Sequence, residues 1–164
     1  MNKIEKPSYF LQPGYVYISR APMVIQAVVG NCVAVCLWDR ELRVGAMNHF
    51  LYPYVDKKQD ATAVYGNVAQ LAALRMMKDA GCRKESIVAH VLGGASPAWD
   101  KDQDLGERNS ESARKNLERL GVEVVSEDVG GSVGRKIMFD ISTGHVAILK
   151  VHDLRKTDWI EEQK

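Results

Sequence analysis

The sequence predicts an α+β domain in which mixed or antiparallel sheet layers are covered by two helices. Short apolar or alternating runs, typical of strands, occur along most of the chain. Only two segments carry apolar residues at helical spacing. The strands and helices come in blocks, whereas a doubly wound parallel sheet would need regular alternation and more helices.

The length of 164 residues suits one compact domain. We expect a flexible arm over residues 1–13, a single domain over 14–151 and a polar tail over 152–164. No run approaches the roughly 18 consecutive apolar residues of a transmembrane helix, and the first residues lack the apolar core of a signal peptide. We therefore expect a cytoplasmic protein that does not insert into membranes.

The composition argues against several classes of partner and site. Lys and Arg number 22 against 21 Asp and Glu, without a dense basic run, so nucleic acid is not expected as a partner. The cysteines are Cys32, Cys36 and Cys82, an odd number that argues against a disulfide framework. One Cys-x3-Cys pair and scattered histidines make a poor zinc site, and we expect neither a metal nor an organic cofactor.

The first half of the chain is predicted to be mostly extended. Pro22 separates the first two strands, a polar turn over 40–43 folds the fourth strand back antiparallel to the third, and Pro53 ends it. The predicted strands cover residues 15–19, 23–29, 32–39 and 44–51.

The second half contains both predicted helices. The first covers residues 61–80 and ends at a Gly81 cap. After an exposed loop over 98–108, the second begins at Asn109 or Ser110, either of which can cap it, and ends at Gly121. Further strands are predicted over residues 87–92 and 122–125 and in a terminal hairpin over 136–141 and 145–151.

Cys32 and His49 are the residues best suited to chemistry. Two neighbouring strands joined by a polar turn would bring the thiol and the imidazole together, as nucleophilic thiol catalysis requires. The turn through Gly30 and Asn31 can aim backbone N–H groups at an oxyanion. The local pattern leaves a second interpretation open, in which both residues only pack in the core. For Cys36 and Cys82 the core is the expected location.

Six ordered motifs then give the chain a family resemblance. The motifs are Gly30-Asn31-Cys32-Val33-Ala34-Val35-Cys36-Leu37 with Gly45-Ala46-Met47-Asn48-His49, Gly93-Gly94-Ala95-Ser96, Leu105-Gly106-Glu107-Arg108-Asn109, Glu127-Asp128-Val129-Gly130-Gly131, Arg135, and Thr143-Gly144. Together they resemble the chemoreceptor glutamine deamidases, CheD, from about Gly14 to Val151.

The resemblance implies an enzyme that converts selected glutamines of methyl-accepting chemoreceptors to glutamate and releases ammonia. It implies a Cys–His fold like that of toxin deamidases, and a regulatory partner, the CheC-type phosphatase. Cys32 matches the nucleophile, which would pass through a thioester, and His49 matches the general base and acid. Gly30 and Asn31 lie at the oxyanion side of the implied site.

Two positions depart from the family pattern. Gln26 stands where the family usually has threonine, its third catalytic residue, and Asn31 stands where it has serine. The amide oxygen of Gln26 can accept a hydrogen bond from an imidazole N–H, so Gln26 is the candidate orienter of His49. The alternative is a catalytically weakened CheD-like module that docks CheC or receptors. A thiol hydrolase acting on another amide is a third interpretation.

Overall fold

A computed structural model describes residues 5–152 and has three layers: a four-stranded sheet, a five-stranded sheet and a pair of helices. The predicted α+β class is confirmed. The elements are β1 (Ser8–Phe10), β2 (Val16–Ser19), β3 (Val24–Val29), β4 (Val33–Asp39), β5 (Gly45–Phe50), α1 (Gly66–Asp79), β6 (Ile87–Gly93), α2 (Leu105–Leu120), β7 (Glu123–Val129), β8 (Gly134–Asp140) and β9 (Val146–Val151).

Both sheets are mixed. The four-stranded sheet has the order β1-β3-β8-β9 and the five-stranded sheet the order β2-β5-β4-β6-β7. The pairs β1–β3 and β6–β7 are parallel, and the other pairs are antiparallel. The chain therefore changes sheet between β3 and β4, which are consecutive strands.

Strand β4 separates two hydrophobic cores. Successive side chains of a strand point to opposite faces, so Val33 and Leu37 pack towards the helices whereas Ala34 and Cys36 pack towards the other sheet. The central strand is therefore buried on both faces, as its nearly continuous apolar sequence indicates.

The two helices cover the outer face of the five-stranded sheet. On α2 the small or apolar residues Ala113 and Leu117 are buried, and the left-handed cap Gly121, with φ of 72°, ends the helix. Helix α1 contacts α2 and strands β2, β4 and β5. In residues 5–152 neither helix is long and apolar enough to cross a membrane.

The expected arm contains a strand. Residues Ser8–Phe10 pair with β3, the ring of Tyr9 stacks on that of Tyr17 at a centroid distance of 3.8 Å, and Leu11 is fully buried between the sheets. The expectation of a flexible arm is therefore wrong for residues 8–11, because the pairing supplies partners for their backbone. Residues 1–4, and the predicted tail beyond His152, lie outside the described residues.

Both helices begin at other residues than predicted. Helix α1 starts at Gly66 because the preceding segment bonds to the end of β5, where the N–H groups of Leu51 and Tyr52 donate to the carbonyl of Val64. Helix α2 starts earlier, at Leu105. Strand β7 extends to Val129, beyond the predicted 122–125, because it pairs with the full length of β6.

Candidate active site

Cys32 lies in the short connection by which the chain passes from one sheet to the other. It follows Gly30 and Asn31 and precedes the first residue of β4, so the thiol is held at a strand end. The residue is 7% exposed and packs in the core between the sheets, with Ala34 and Cys36 of the same strand face.

His49 faces the same core from β5. It lies directly opposite Ala34 in the β4–β5 register, and it is fully buried. Cys32 is two positions before Ala34, which makes Cys32 and His49 diagonal neighbours on one face. Residues in this relation lie about 7–8 Å apart, within reach of long side chains. Neither ring nitrogen of His49 has a hydrogen-bond partner, so the thiol and the imidazole are not yet engaged.

Burial keeps both groups neutral. Loss of solvent raises the pKa of the Cys32 thiol to about 12, and the charge of Asp100 adds to that rise while the backbone N–H of Cys32 opposes it. Burial also lowers the pKa of the His49 imidazole to about 4. The Leu11 backbone opposes this second shift, although it does not reach hydrogen-bond geometry with the ring. At neutral pH the pair is therefore a thiol and an unprotonated imidazole.

The turn after β6 fixes the connection that carries Cys32. The N–H of Gly94 donates to the carbonyl of Cys32 at 2.8 Å, and the N–H of Ala95 donates to that of Gly30 at 2.9 Å. Gly93 has a φ of 112°, and a Cβ there would overlap the Cys32 carbonyl oxygen. Only glycine allows the two segments to approach this closely.

Asn31 connects the thiol to a loop between β6 and α2. Its Nδ2 donates to Oδ2 of Asp100 at 2.6 Å, and its Oδ1 lies 3.7 Å from the Cys32 sulfur. The thiol of Cys32 therefore donates to the side-chain oxygen of Asn31, and the carboxylate of Asp100 places a negative charge near it. A contact between Asp100 and this connection depends on the path of a loop and has no signal in the sequence.

Two consecutive backbone donors lie next to the thiol. Within residues 5–152 the N–H groups of Asn31 and Cys32 make no hydrogen bond to another residue. Consecutive N–H groups beside a nucleophile can hold the oxygen of a tetrahedral intermediate. The oxyanion role of the turn through Gly30 and Asn31 stays a prediction.

The structure does not bring Gln26 to His49. The neighbours of Gln26 on β3, Ile25 and Ala27, pack in the core between the sheets, so Gln26 projects from the opposite face. There it lies opposite Met138, which is 43% exposed. The predicted contact between Gln26 and the imidazole is therefore absent.

Asn109 lies near the site, although the sequence predicts it as a cap of the second helix. Helix α2 begins four residues earlier, so Asn109 is inside the helix and fully buried. Its Nδ2 donates to the carbonyls of Asn31 and Leu51, both at 2.9 Å. The sequence places Asn109 in the motif Leu105-Gly106-Glu107-Arg108-Asn109 but does not indicate which groups its side chain contacts.

Comparison with known proteins identifies the family. A sequence model described as "CheD chemotactic sensory transduction" matches residues 53–150, a stretch that begins after both Cys32 and His49. A "Probable chemoreceptor glutamine deamidase CheD" of Trichlorobacter lovleyi is 42% identical over 142 residues, which are 85% of this chain and 88% of the relative. A "Chemoreceptor glutamine deamidase CheD" of Thermotoga maritima is 32% identical over 137 residues, 84% of this chain and 87% of the relative. On these matches, the chain belongs to the CheD family.

Proposed function

We propose that this protein is an amide hydrolase that converts selected glutamines of methyl-accepting chemoreceptors to glutamate in chemotaxis signalling. The observation that carries the proposal is the placement of Cys32 and His49 on one strand face, beside two backbone N–H groups that make no hydrogen bond to another of the described residues. The names of the relatives supply the substrate class, since they are chemoreceptor glutamine deamidases.

The first half of the reaction forms a thioester. His49 accepts the thiol proton of Cys32, and the sulfur attacks the carbonyl carbon of the glutamine side chain. The carbonyl electron pair moves to oxygen, where the N–H groups of Asn31 and Cys32 hold the negative charge. The intermediate collapses, the imidazolium gives its proton to the nitrogen, and ammonia leaves.

The second half hydrolyses that thioester. His49, unprotonated again, removes a proton from water, and the oxygen attacks the thioester carbonyl. When the carbon–sulfur bond breaks, the sulfur regains a proton from the imidazolium and glutamate is released. Each turnover consumes one water and yields ammonia and a carboxylic acid, whose proton passes to the ammonia in solution to give carboxylate and ammonium, so no cofactor enters the balance.

The pKa directions fit these roles. With a pKa of about 4, His49 is unprotonated at neutral pH and free to act as a base. Its imidazolium, once formed, is acidic enough to protonate the leaving nitrogen. With a pKa of about 12, Cys32 gains nothing from spontaneous ionisation, so proton transfer must accompany the attack. Receptor binding therefore has to bring sulfur and imidazole together.

The proposal includes a location and a partner. The three cysteines are free, and a reducing cytoplasm keeps a thiol nucleophile available. A CheC-type phosphatase as regulatory partner rests on the family resemblance alone.

The alternative function, a weakened docking module, depends on Gln26 as an imperfect orienter of His49. Gln26 lies on the other face of its sheet, away from His49. No contact among residues 5–152 favours that alternative.

The test is incubation of the protein with receptor cytoplasmic fragments, followed by peptide mass spectrometry and an ammonia assay. We expect particular glutamines to become glutamates with an equal amount of ammonia. Unchanged glutamines, under conditions in which the protein binds the fragments, would contradict the proposal. Retention of CheC on the immobilised protein tests the partner separately.

A further inference from the structure

We infer that Asn109 is a positioning residue that ties the segment carrying the thiol to the segment carrying the imidazole. The inference rests on the proposed function, since it concerns the Cys32–His49 pair. Asn109 lies in the second turn of α2, is fully buried, and uses one side-chain amide to donate to two carbonyls from different parts of the chain.

The two acceptors lie next to the two reactive residues. The Asn31 carbonyl belongs to the peptide bond that joins Asn31 to Cys32, and Leu51 follows His49 by two residues. Both bonds are 2.9 Å long. A side-chain amide has two N–H donors, so the nitrogen of Asn109 is fully used, and its distance from each segment is fixed.

The two hydrogen bonds of Asn109 lie just beyond the end of the β4–β5 backbone pairing. The register of β4 and β5 ends at the pair Val33 and Phe50, so Cys32 and Leu51 lie one position beyond the last pair. Among the described residues, Asn109 is the only one whose side chain donates a hydrogen bond to both of these strand ends. The spacing of sulfur and imidazole beyond the ladder therefore depends on this amide.

Close packing of α2 supports this position. Gly106, one turn before Asn109, lies against the carbonyls of Gly94 and Ala95, where a Cβ would overlap both oxygens. Gly94 and Ala95 in turn hold the carbonyls of Cys32 and Gly30. The start of α2 is therefore linked to the Cys32 connection in two ways, through the turn at Gly94 and Ala95 and through the Asn109 amide.

The proposed reaction depends on the exact spacing of the thiol and the imidazole. A displacement of about 1 Å between reacting groups can lower a rate by about 100-fold. The Asn109 amide donates to neither the thiol nor the imidazole, so it acts through their positions. We expect its removal to lower kcat more than it raises KM.

Ser112→Ala is the matched control for Asn109→Ala. Ser112 is one turn further along α2, and its Oγ donates to the carbonyl of Pro53 at 2.5 Å. Each substitution frees a carbonyl in the segment after β5, but only Asn109→Ala also frees the connection that carries Cys32. Thermal unfolding of both variants fixes a temperature at which each is folded, and all rates are measured there.

Two readouts separate positioning from general stability. With receptor fragments, Asn109→Ala is expected to lower kcat by about 10- to 100-fold with little change in KM, whereas Ser112→Ala retains kcat. The second readout is a double-mutant comparison on the same fragments: His49→Gln is expected to lower kcat strongly in the wild-type background and by a much smaller factor in the Asn109→Ala background, where the imidazole is already misplaced.

Asn109→Ser carries the test if the alanine variant does not fold. Its single donor can keep one of the two bonds, so an intermediate loss of kcat is expected. The inference is overturned if an Asn109 variant and Ser112→Ala keep equal kcat, or if His49→Gln lowers kcat by the same factor in both backgrounds. Wild-type protein that leaves receptor glutamines unchanged would instead overturn the proposed function.

Discussion

Cys32 and His49 face one core from adjacent segments, and yet the imidazole makes no hydrogen bond to the thiol. The sulfur is instead 3.7 Å from the side-chain oxygen of Asn31. The free protein therefore holds its two reactive groups close together, neutral and unengaged.

Replacement of His49 by Gln should abolish most of the turnover and leave the fold intact. Glutamine fills much of the same volume but cannot accept and return a proton, and a general acid–base group contributes about 100- to 10,000-fold. The measurement is kcat for glutamate formation on a receptor fragment. Met47→Leu, a substitution in the same core and strand face, is the control and should retain turnover. Equal turnover in the two variants would remove His49 from the mechanism.

The pH dependence should reveal the depressed pKa of His49. Because the pKa of this group falls from 6.5 to about 4 on folding, the folded protein binds fewer protons than the unfolded chain between those values. The contribution of His49 to the free energy of unfolding is then fully present above pH 6.5, and it is lost as the pH drops towards 4. The acid limb of kcat/KM should also lie near pH 4.

Urea unfolding from pH 7 to pH 4 measures this dependence. In His49→Gln the part of the slope between pH 6.5 and 4 that comes from this residue should disappear. A slope identical to that of the wild-type protein would contradict the assigned protonation state.

Asp100→Asn should make Cys32 more reactive. The substitution keeps an oxygen that can accept the N–H of Asn31, but it removes the negative charge that raises the pKa of the thiol. We expect alkylation of Cys32 by iodoacetamide to become about two- to tenfold faster, since one pKa unit corresponds to a tenfold change. Asp102→Asn, which removes only the partner of Arg108, should leave the rate unchanged. Equal rates in both variants would exclude an effect of Asp100 on the thiol.

Gly93→Ala should lower stability and kcat more than Gly131→Ala, although both glycines have a positive φ. Its Cβ would overlap the Cys32 carbonyl oxygen, so the connection must move. At Gly131, with φ of 71°, an added Cβ meets nothing within 4 Å. We expect Gly93→Ala to cost about 1–3 kcal/mol more of the free energy of unfolding than Gly131→Ala, and to lower kcat. Similar stability and kcat would show that the contact is not needed.

Gln26→Ala should leave turnover within about twofold of wild type, since surface substitutions away from a site have small effects. The residue lies on the outer face of the four-stranded sheet, whereas His49 lies on the inner face of the other sheet. The measurement is kcat on the same receptor fragment. A loss as large as that of His49→Gln would mean that Gln26 reaches the imidazole in the receptor-bound enzyme.

The central pair could be predicted from the sequence because it depends on local features. A polar turn between two apolar runs predicts an antiparallel pair, and the spacing from Cys32 to His49 then determines the shared face. The position of Gln26 depends instead on a change of sheet between consecutive strands. A nearly continuous apolar run from β3 into β4 gives no sign of that change.

The supporting contacts depend on tertiary structure. Asn109 is 78 residues from Asn31 and 58 from Leu51 along the chain, and its side chain could equally have capped a helix. The strand at Ser8–Phe10 likewise exists because β3 presents a free edge to it. Local propensity does not determine either contact.

The most direct test compares Cys32→Ala with Cys36→Ala on one receptor fragment. Both substitutions remove a buried sulfur from the same strand face and the same core, so their costs to packing are similar. The measurement is the conversion of glutamine to glutamate by peptide mass spectrometry. Cys36→Ala is predicted to retain conversion and Cys32→Ala to lose it while remaining folded. Conversion by folded Cys32→Ala at the rate of Cys36→Ala would contradict the assignment of Cys32 as the nucleophile.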